Sequence, residues 1–374
     1  MKFHSDVRMI LVKIGGFGDW ILMTPAIRAL RETYPHATID CITSGKRSQE
    51  FLEEYKFLNN IIVLDRDLIK SDPTIEYRQR LKQIINLKHL LNQKYDAVLS
   101  FTHLLPESLS FYLALTIATG AKLRIGLEND PGTFFDVKVK DEGFGAKHEA
   151  EYYMEVVEAA GAIVIDTQPF IPISHQRCCQ AKSIITQSGS QRIERPLVAM
   201  HPGCHHANVA RRWEPERFAS VADQLYQEFG GQLLLLGGPE EEPLRKQVLQ
   251  AMKSSMPRQS LSGTESQMLT SAILKQSDLF IGNDSGLMHA AAAVDTPTIG
   301  IFGPTNPRAW GPYMPKTPSR CRSVRLNLPC MPCQFIGERG GNMIGCASRY
   351  CLSQLQVEDV VDVARQLLGT TYIR

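Results

Sequence analysis

The chain has 374 residues, more than one hydrophobic core ordinarily serves, so two domains of roughly 150–200 residues are expected. Hydrophobic residues make up 43% and charged residues 21%, a globular balance that excludes a disordered or fibrous protein, and a net charge of +2 argues against nucleic acid as a partner. No apolar run approaches the roughly 20 residues that span a bilayer, and the first residues lack the apolar stretch of a secretory signal, so cytoplasmic residence is expected.

From the first residues onward, apolar runs alternate with glycine turns and helical spacings. Residues 9–14 predict a strand, Gly15-Gly-Phe-Gly-Asp19 a turn and 20–33 a helix. Further strands are predicted over 38–43, 60–64 and 97–101, with a charged helix over 77–92 between the last two. Ile125-Gly126 and the polar stretch 128–135 predict outer loops, and 148–160 a closing helix. This alternation indicates a parallel sheet covered by helices, a Rossmann-like domain over 1–175. A polar stretch over 174–195, with a helix around 179–187, predicts a hinge. The pattern restarts with strands over 196–201, 232–236, 279–281 and 298–302, and helices over 215–229, 266–276 and 286–294. That is a second Rossmann-like domain over 176–355, followed by a last helix in the segment 356–374. Loops on the carboxyl edges of both sheets are then expected to face each other across a cleft.

Three constellations carry candidate chemistry. The first is Lys13-Ile-Gly-Gly-Phe-Gly-Asp19, which departs from the dinucleotide fingerprint because no third glycine follows. The acid expected some twenty residues on would be Asp40. Gly15, Gly16 and Gly18 can instead clear space for an acceptor, leaving Asp19 as a general base or as a helix cap. The second follows the strand ending at His201, where Arg211 and Arg212 have the forked shape that suits phosphate oxygens, or form a solvated loop. His205 and His206 are adjacent, carry no carboxylate with them, and are not read as metal ligands. The third is Asn283-Asp-Ser-Gly-Leu-Met-His289 with the loop Gly303-Pro-Thr305. A short apolar strand turns there into an Ala-rich helix, whose unpaired N–H groups and dipole suit an anion. His289 lies one turn from Ser285 on the same face, and Asp284 is either a cap or part of the site.

Nine cysteines are expected to be mostly free thiols in a reducing compartment. Cys330-x2-Cys333 with Cys346 and Cys351 is similar to a structural zinc set with one widened half; scattered thiols or a disulfide is the alternative.

Set in order, Gly15-Gly-Phe-Gly-Asp19 before Thr24-Pro-Ala-Ile-Arg28, His201-Pro-Gly203 with Arg211-Arg-Trp213, Leu236-Gly-Gly-Pro-Glu240, Asn283 to His289 and Ile301-Phe-Gly-Pro-Thr305 resemble the family 9 glycosyltransferases, the ADP-heptose:lipopolysaccharide heptosyltransferases and their relatives. The resemblance implies an α/β fold of GT-B type, with the acceptor on the N-terminal domain, the nucleotide-sugar on the C-terminal one, and a C-terminal helix crossing back to the N-terminal domain. It implies inverting, metal-independent transfer of a heptose or related sugar to a lipopolysaccharide-core or other envelope acceptor. Asp19 matches the family's base. Arg211 stands where relatives often have Lys against the donor phosphate, with Arg212 beside it; Glu240 matches a carboxylate near the nucleoside. Asn283, Asp284, Ser285, Gly286, His289, Gly303, Pro304 and Thr305 match the turn and loop that hold pyrophosphate and sugar. Hydroxyl residues that some relatives place before the phosphate-binding cation are His206 and Ala207 here. The implied partners are a nucleotide-sugar, with ADP-heptose foremost, and a lipid-linked saccharide at the inner membrane face, with no cofactor required. A GT-B nucleotide-sugar epimerase and a non-catalytic sugar-nucleotide-binding protein are the competing readings.

Overall fold

The computed structural model describes residues 3–64, 95–104, 109–128, 134–186, 195–205, 208–261, 266–336, 339–342 and 344–372. The helix expected over 77–92, along with His206 and Ala207, lies outside them. Two compact units emerge, one over Met1–Thr167 and one over Gln168–Ile336 with Gly340–Arg374. The division falls eight residues before the boundary expected from sequence.

The first unit holds β1 (Arg8–Val12), α1 (Phe17–Leu22), α2 (Thr24–Thr33), β2 (Thr38–Ser44), α3 (Lys46–Glu53), β3 (Ile61–Leu64), β4 (Ala97–Ser100), α4 (Leu109–Ala118), β5 (Leu123–Glu128), β6 (Val137–Lys140) and α5 (Glu149–Ala159). Its strands pair in parallel in the order β3-β2-β1-β4-β5-β6. Met9 to Val12 are wholly buried, as the unbroken apolar run of a central parallel strand requires. The single helix expected over 20–33 is two. Pro25 lies in the first turn of the second, where its missing N–H costs nothing, and the first starts at Phe17, so that Gly18 and Asp19 are helical rather than in a turn. Ile125 and Gly126, expected in a loop, lie inside β5. Gly126 is required there because a Cβ would stand 2.5 Å from the Phe135 ring.

The second unit holds α6 (His175–Thr186), β7 (Leu197–His201), α7 (Pro215–Phe229), β8 (Gln232–Leu235), α8 (Glu242–Ala251), β9 (Arg258–Ser260), α9 (Gln267–Leu274), β10 (Leu279–Asn283), α10 (Gly286–Ala293), β11 (Thr298–Ile301), β12 (Cys321–Val324) and α11 (Val357–Tyr372). The strand order is β12-β11-β10-β7-β8-β9, again all parallel. Counted from its own first strand, this repeats the order of the first unit. In both, the strand order reverses between the first and fourth strands, the switch point at which open α/β sheets bind ligands. The terminal helix belongs to this second unit: Val360, Val361, Ala364 and Leu368 are buried in its core beside Leu225, Ile281 and Ile301.

Candidate functional sites at the two switch points

In the second unit the switch point lies between β7 and β10, with Gly282 paired to His201. β7 ends in His201, whose Nε2 is 3.1 Å from Glu241 Oε2 and whose Nδ1 is 3.0 Å from Ser285 Oγ. A carboxylate only accepts, so Nε2 carries a proton and donates to Glu241, while Nδ1 can take the Ser285 hydroxyl. Gly238 N–H also donates to Glu241, at 2.7 Å. Burial opposes the charge on Glu241, but His201, the Gly238 N–H and Arg212 outweigh it and hold the carboxyl down at about 2. Gly203 makes this arrangement fit, since a Cβ there would collide with the Glu241 carboxylate.

Ser285 stands at the N-cap of α10 yet makes no side-chain capping hydrogen bond there. Its hydroxyl serves His201 instead, so the helix opens toward the sheet edge without a side-chain cap. Arg211 Nη1 pairs with Asp284 Oδ2 at 3.1 Å, and its guanidinium lies 5.6 Å from the Phe335 ring centroid. Arg212 acts elsewhere, within electrostatic reach of Cys204 and Glu241. Asn283 is wholly buried as a brace: it accepts from Trp213 N–H at 3.0 Å and donates to Pro202 O at 2.8 Å. His289 is buried on α10. Glu240 is exposed, whereas its neighbour Glu241 turns inward. The Gly303 loop adjoins the Asn283 turn, because β10 and β11 pair as far as Asn283 and Ile301. Pro304 O accepts from Cys333 N–H (2.9 Å) and Gln334 N–H (2.8 Å), which ties this loop to the tail. Thr305 is wholly buried, and its hydroxyl has no hydrogen-bond partner among the described residues.

Among the described residues no group of three or more His, Cys, Asp or Glu is placed to hold a metal ion. The tail thiols still feel one another. Burial pushes Cys351 and Cys333 up, and the neighbouring tail thiols push both further.

In the first unit the switch point lies between β1 and β4. Asp19, at the third position of α1, accepts from Gly16 N–H through Oδ2 at 2.7 Å, so the capping role is real. Its Oδ1 faces the other way, 3.5 Å from Lys13 Nζ and 3.4 Å from the Tyr153 hydroxyl. Gly15 must lack a Cβ, which would stand 2.7 Å from Asp19. Asp40 accepts from Asn60 and Tyr95 inside the unit, at 2.8–3.0 Å, and is structural. Sequence reasoning missed Lys13, Tyr153, His201 and Glu241 as partners. The signal for Lys13 and His201 was available: a polar residue at the end of a buried strand, next to glycines.

No helix among the described residues is long and apolar enough to cross a membrane. Residues 84–343 match the sequence pattern of glycosyltransferase family 9 (heptosyltransferase). The chain is 26% identical to lipopolysaccharide heptosyltransferase 2 of Salmonella typhimurium over 86% of its own length and 88% of that protein's. In structure it is similar to a family 9 glycosyl transferase of Veillonella parvula, with a TM-score of 0.71 and 23% identity, covering 98% of this chain and 99% of that one. It is also similar to the E. coli heptosyltransferase WaaC with ADP, with a TM-score of 0.66 and 17% identity over 96% and 100% of the two chains.

Proposed function

The chain belongs to glycosyltransferase family 9 and is a glycosyltransferase; from that premise we propose that it moves a heptose from ADP-heptose to a lipopolysaccharide-core acceptor, with inversion and without a catalytic metal. The observation that carries this reading is the uncapped start of α10 beside Arg211, a site for a diphosphate. The ADP named with a structural neighbour supports the choice of nucleotide. In this mechanism Asp19 takes the proton of the acceptor hydroxyl, the acceptor oxygen bonds to the anomeric carbon, and the ADP leaves with the electron pair of the broken bond. The α10 amides, Arg211 and the loop bearing Thr305 receive the charge that develops on the diphosphate. Glu241 and His201 fix Ser285 and the shape of the turn, and Glu240 remains the candidate for the nucleoside. The acceptor is lipid-linked, and the enzyme works in the cytoplasm at the inner membrane face.

Incubation of the protein with ADP-heptose and a lipopolysaccharide-core acceptor tests the main reading. Release of ADP only when both are present supports it. Turnover of the donor alone favours an epimerase, and binding without turnover favours a non-catalytic protein. A panel of ADP-, GDP-, UDP- and dTDP-sugars identifies the donor.

A further inference from the structure

Behind Asp19 lies a buried polar chain that neither capping nor sheet formation requires. Tyr153 is wholly buried on α5, 134 residues from Asp19 in sequence, and its hydroxyl reaches Asp19 Oδ1 at 3.4 Å. Lys13 Nζ, 3.5 Å from the same oxygen, sits 4.7 Å over the Tyr153 ring and donates to Phe101 O at 3.1 Å. Phe101 packs edge-on against that ring, with centroids 6.0 Å apart. One helical turn before Tyr153, Glu149 accepts from His103 Nε2 at 2.9 Å, and Asp141 accepts from His103 Nδ1 at 2.8 Å. All three side chains are buried, and two acceptor-only partners require a proton on each ring nitrogen.

Resting on the reading of Asp19 as the base, we infer that Tyr153 is the positioning residue of that carboxylate, with Lys13 as its charge partner and the His103–Glu149 pair anchoring the helix that carries it. Burial pushes the phenol well above its ordinary value, and the charges of Asp19 and Glu149 push it further. The hydroxyl therefore stays protonated and serves Asp19 as a donor. A carboxylate oxygen has two lone pairs, so Oδ1 can hold Tyr153 and still receive a substrate proton. Among the described residues, Lys13 and Tyr153 face Asp19 directly, and the Asp19 charge reaches Tyr112 and helps burial push that phenol up.

Tyr153→Phe removes one oxygen and keeps the packing. The expected result is a kcat lower by about 10- to 100-fold, the scale of a misplaced catalytic group, with the KM for ADP-heptose within about twofold. Unchanged kcat in Tyr153→Phe would overturn the inference, as would a fall in kcat that only follows a lower melting temperature or that comes with a comparable rise in the KM for ADP-heptose. Asp19→Asn separates the two claims: full activity in that variant defeats the base assignment itself, whereas an inactive Asp19→Asn beside a normal Tyr153→Phe defeats only the positioning role.

Discussion

At the junction of β1 and β4 an acid stands beside an ammonium and a phenol; at the equivalent junction of β7 and β10 a His–Ser–Glu chain and an arginine surround the start of a helix. Both junctions come from the same strand order. The sheet therefore decides where a site can form, and the loops decide its chemistry. The first is built to hold one carboxylate in a fixed orientation and suits proton transfer. The second gathers the uncapped start of α10, Arg211 and Asp284, where the proposed reading seats a diphosphate.

The sharpest way to break this division of labour is Asp19→Asn. Transfer should fall by about 10²- to 10⁴-fold, the usual contribution of a general base, while ADP affinity measured by calorimetry stays within about twofold. Comparable loss of both would place Asp19 on the donor. Arg211→Ala should do the reverse, weakening ADP by about 10- to 100-fold, as expected for a charge-assisted hydrogen bond, and leaving adenosine nearly untouched; equal losses would move Arg211 away from the phosphate. Gly203→Ala should destabilise the protein by about 1–3 kcal/mol in chemical denaturation, because its Cβ would displace the Glu241 carboxylate. Stability unchanged by that substitution would show that the His201–Glu241 pair is not closely packed.

Acid and alkali should separate the two junctions. In the second unit Glu241 is depressed to about 2, so its contribution is present above the ordinary value of 4.5 and is lost as pH falls from there toward 2. In the first unit burial opposes the charge on His103, but Glu149 and Asp141 overcome it and raise the imidazole to about 9. Its contribution is complete below 6.5 and is lost as pH rises through 9. Amide protection, with the intrinsic pH dependence of exchange divided out, should accordingly fall around β7 and β10 at acid pH and around α5 at alkaline pH. Equal loss of protection in both regions at either extreme would erase the distinction.

The alternation of strands and helices was legible wherever a buried apolar run met glycines, as at Met9 to Gly16 and Leu279 to Gly286. β5 was not, because Gly126 interrupts its pattern and the reason, the ring of Phe135, comes from another element. β9 and β12 are three and four residues long, too short for periodicity to register. Among site residues, those in one contiguous motif, such as Asn283 to His289, could be named in advance. Partners brought together over long sequence distances could not: Tyr153 reaches Asp19 across 134 residues, and His103 reaches Glu149 across 46. The choice between Glu240 and Glu241 was equally hidden, since adjacent acids look alike until the turn at Pro239–Glu241 rotates one inward.

Ser285 gives its hydroxyl to His201 and leaves its own helix unfinished. A serine cap ordinarily contributes about 1 kcal/mol, so α10 begins with that much less than its sequence could supply. Under the proposed function, the amides that would complete the helix are the ones that take the phosphate. Local opening of the Gly286 turn and release of nucleotide would then be a single equilibrium, in which tight binding and a quiet helix are two readings of the same event.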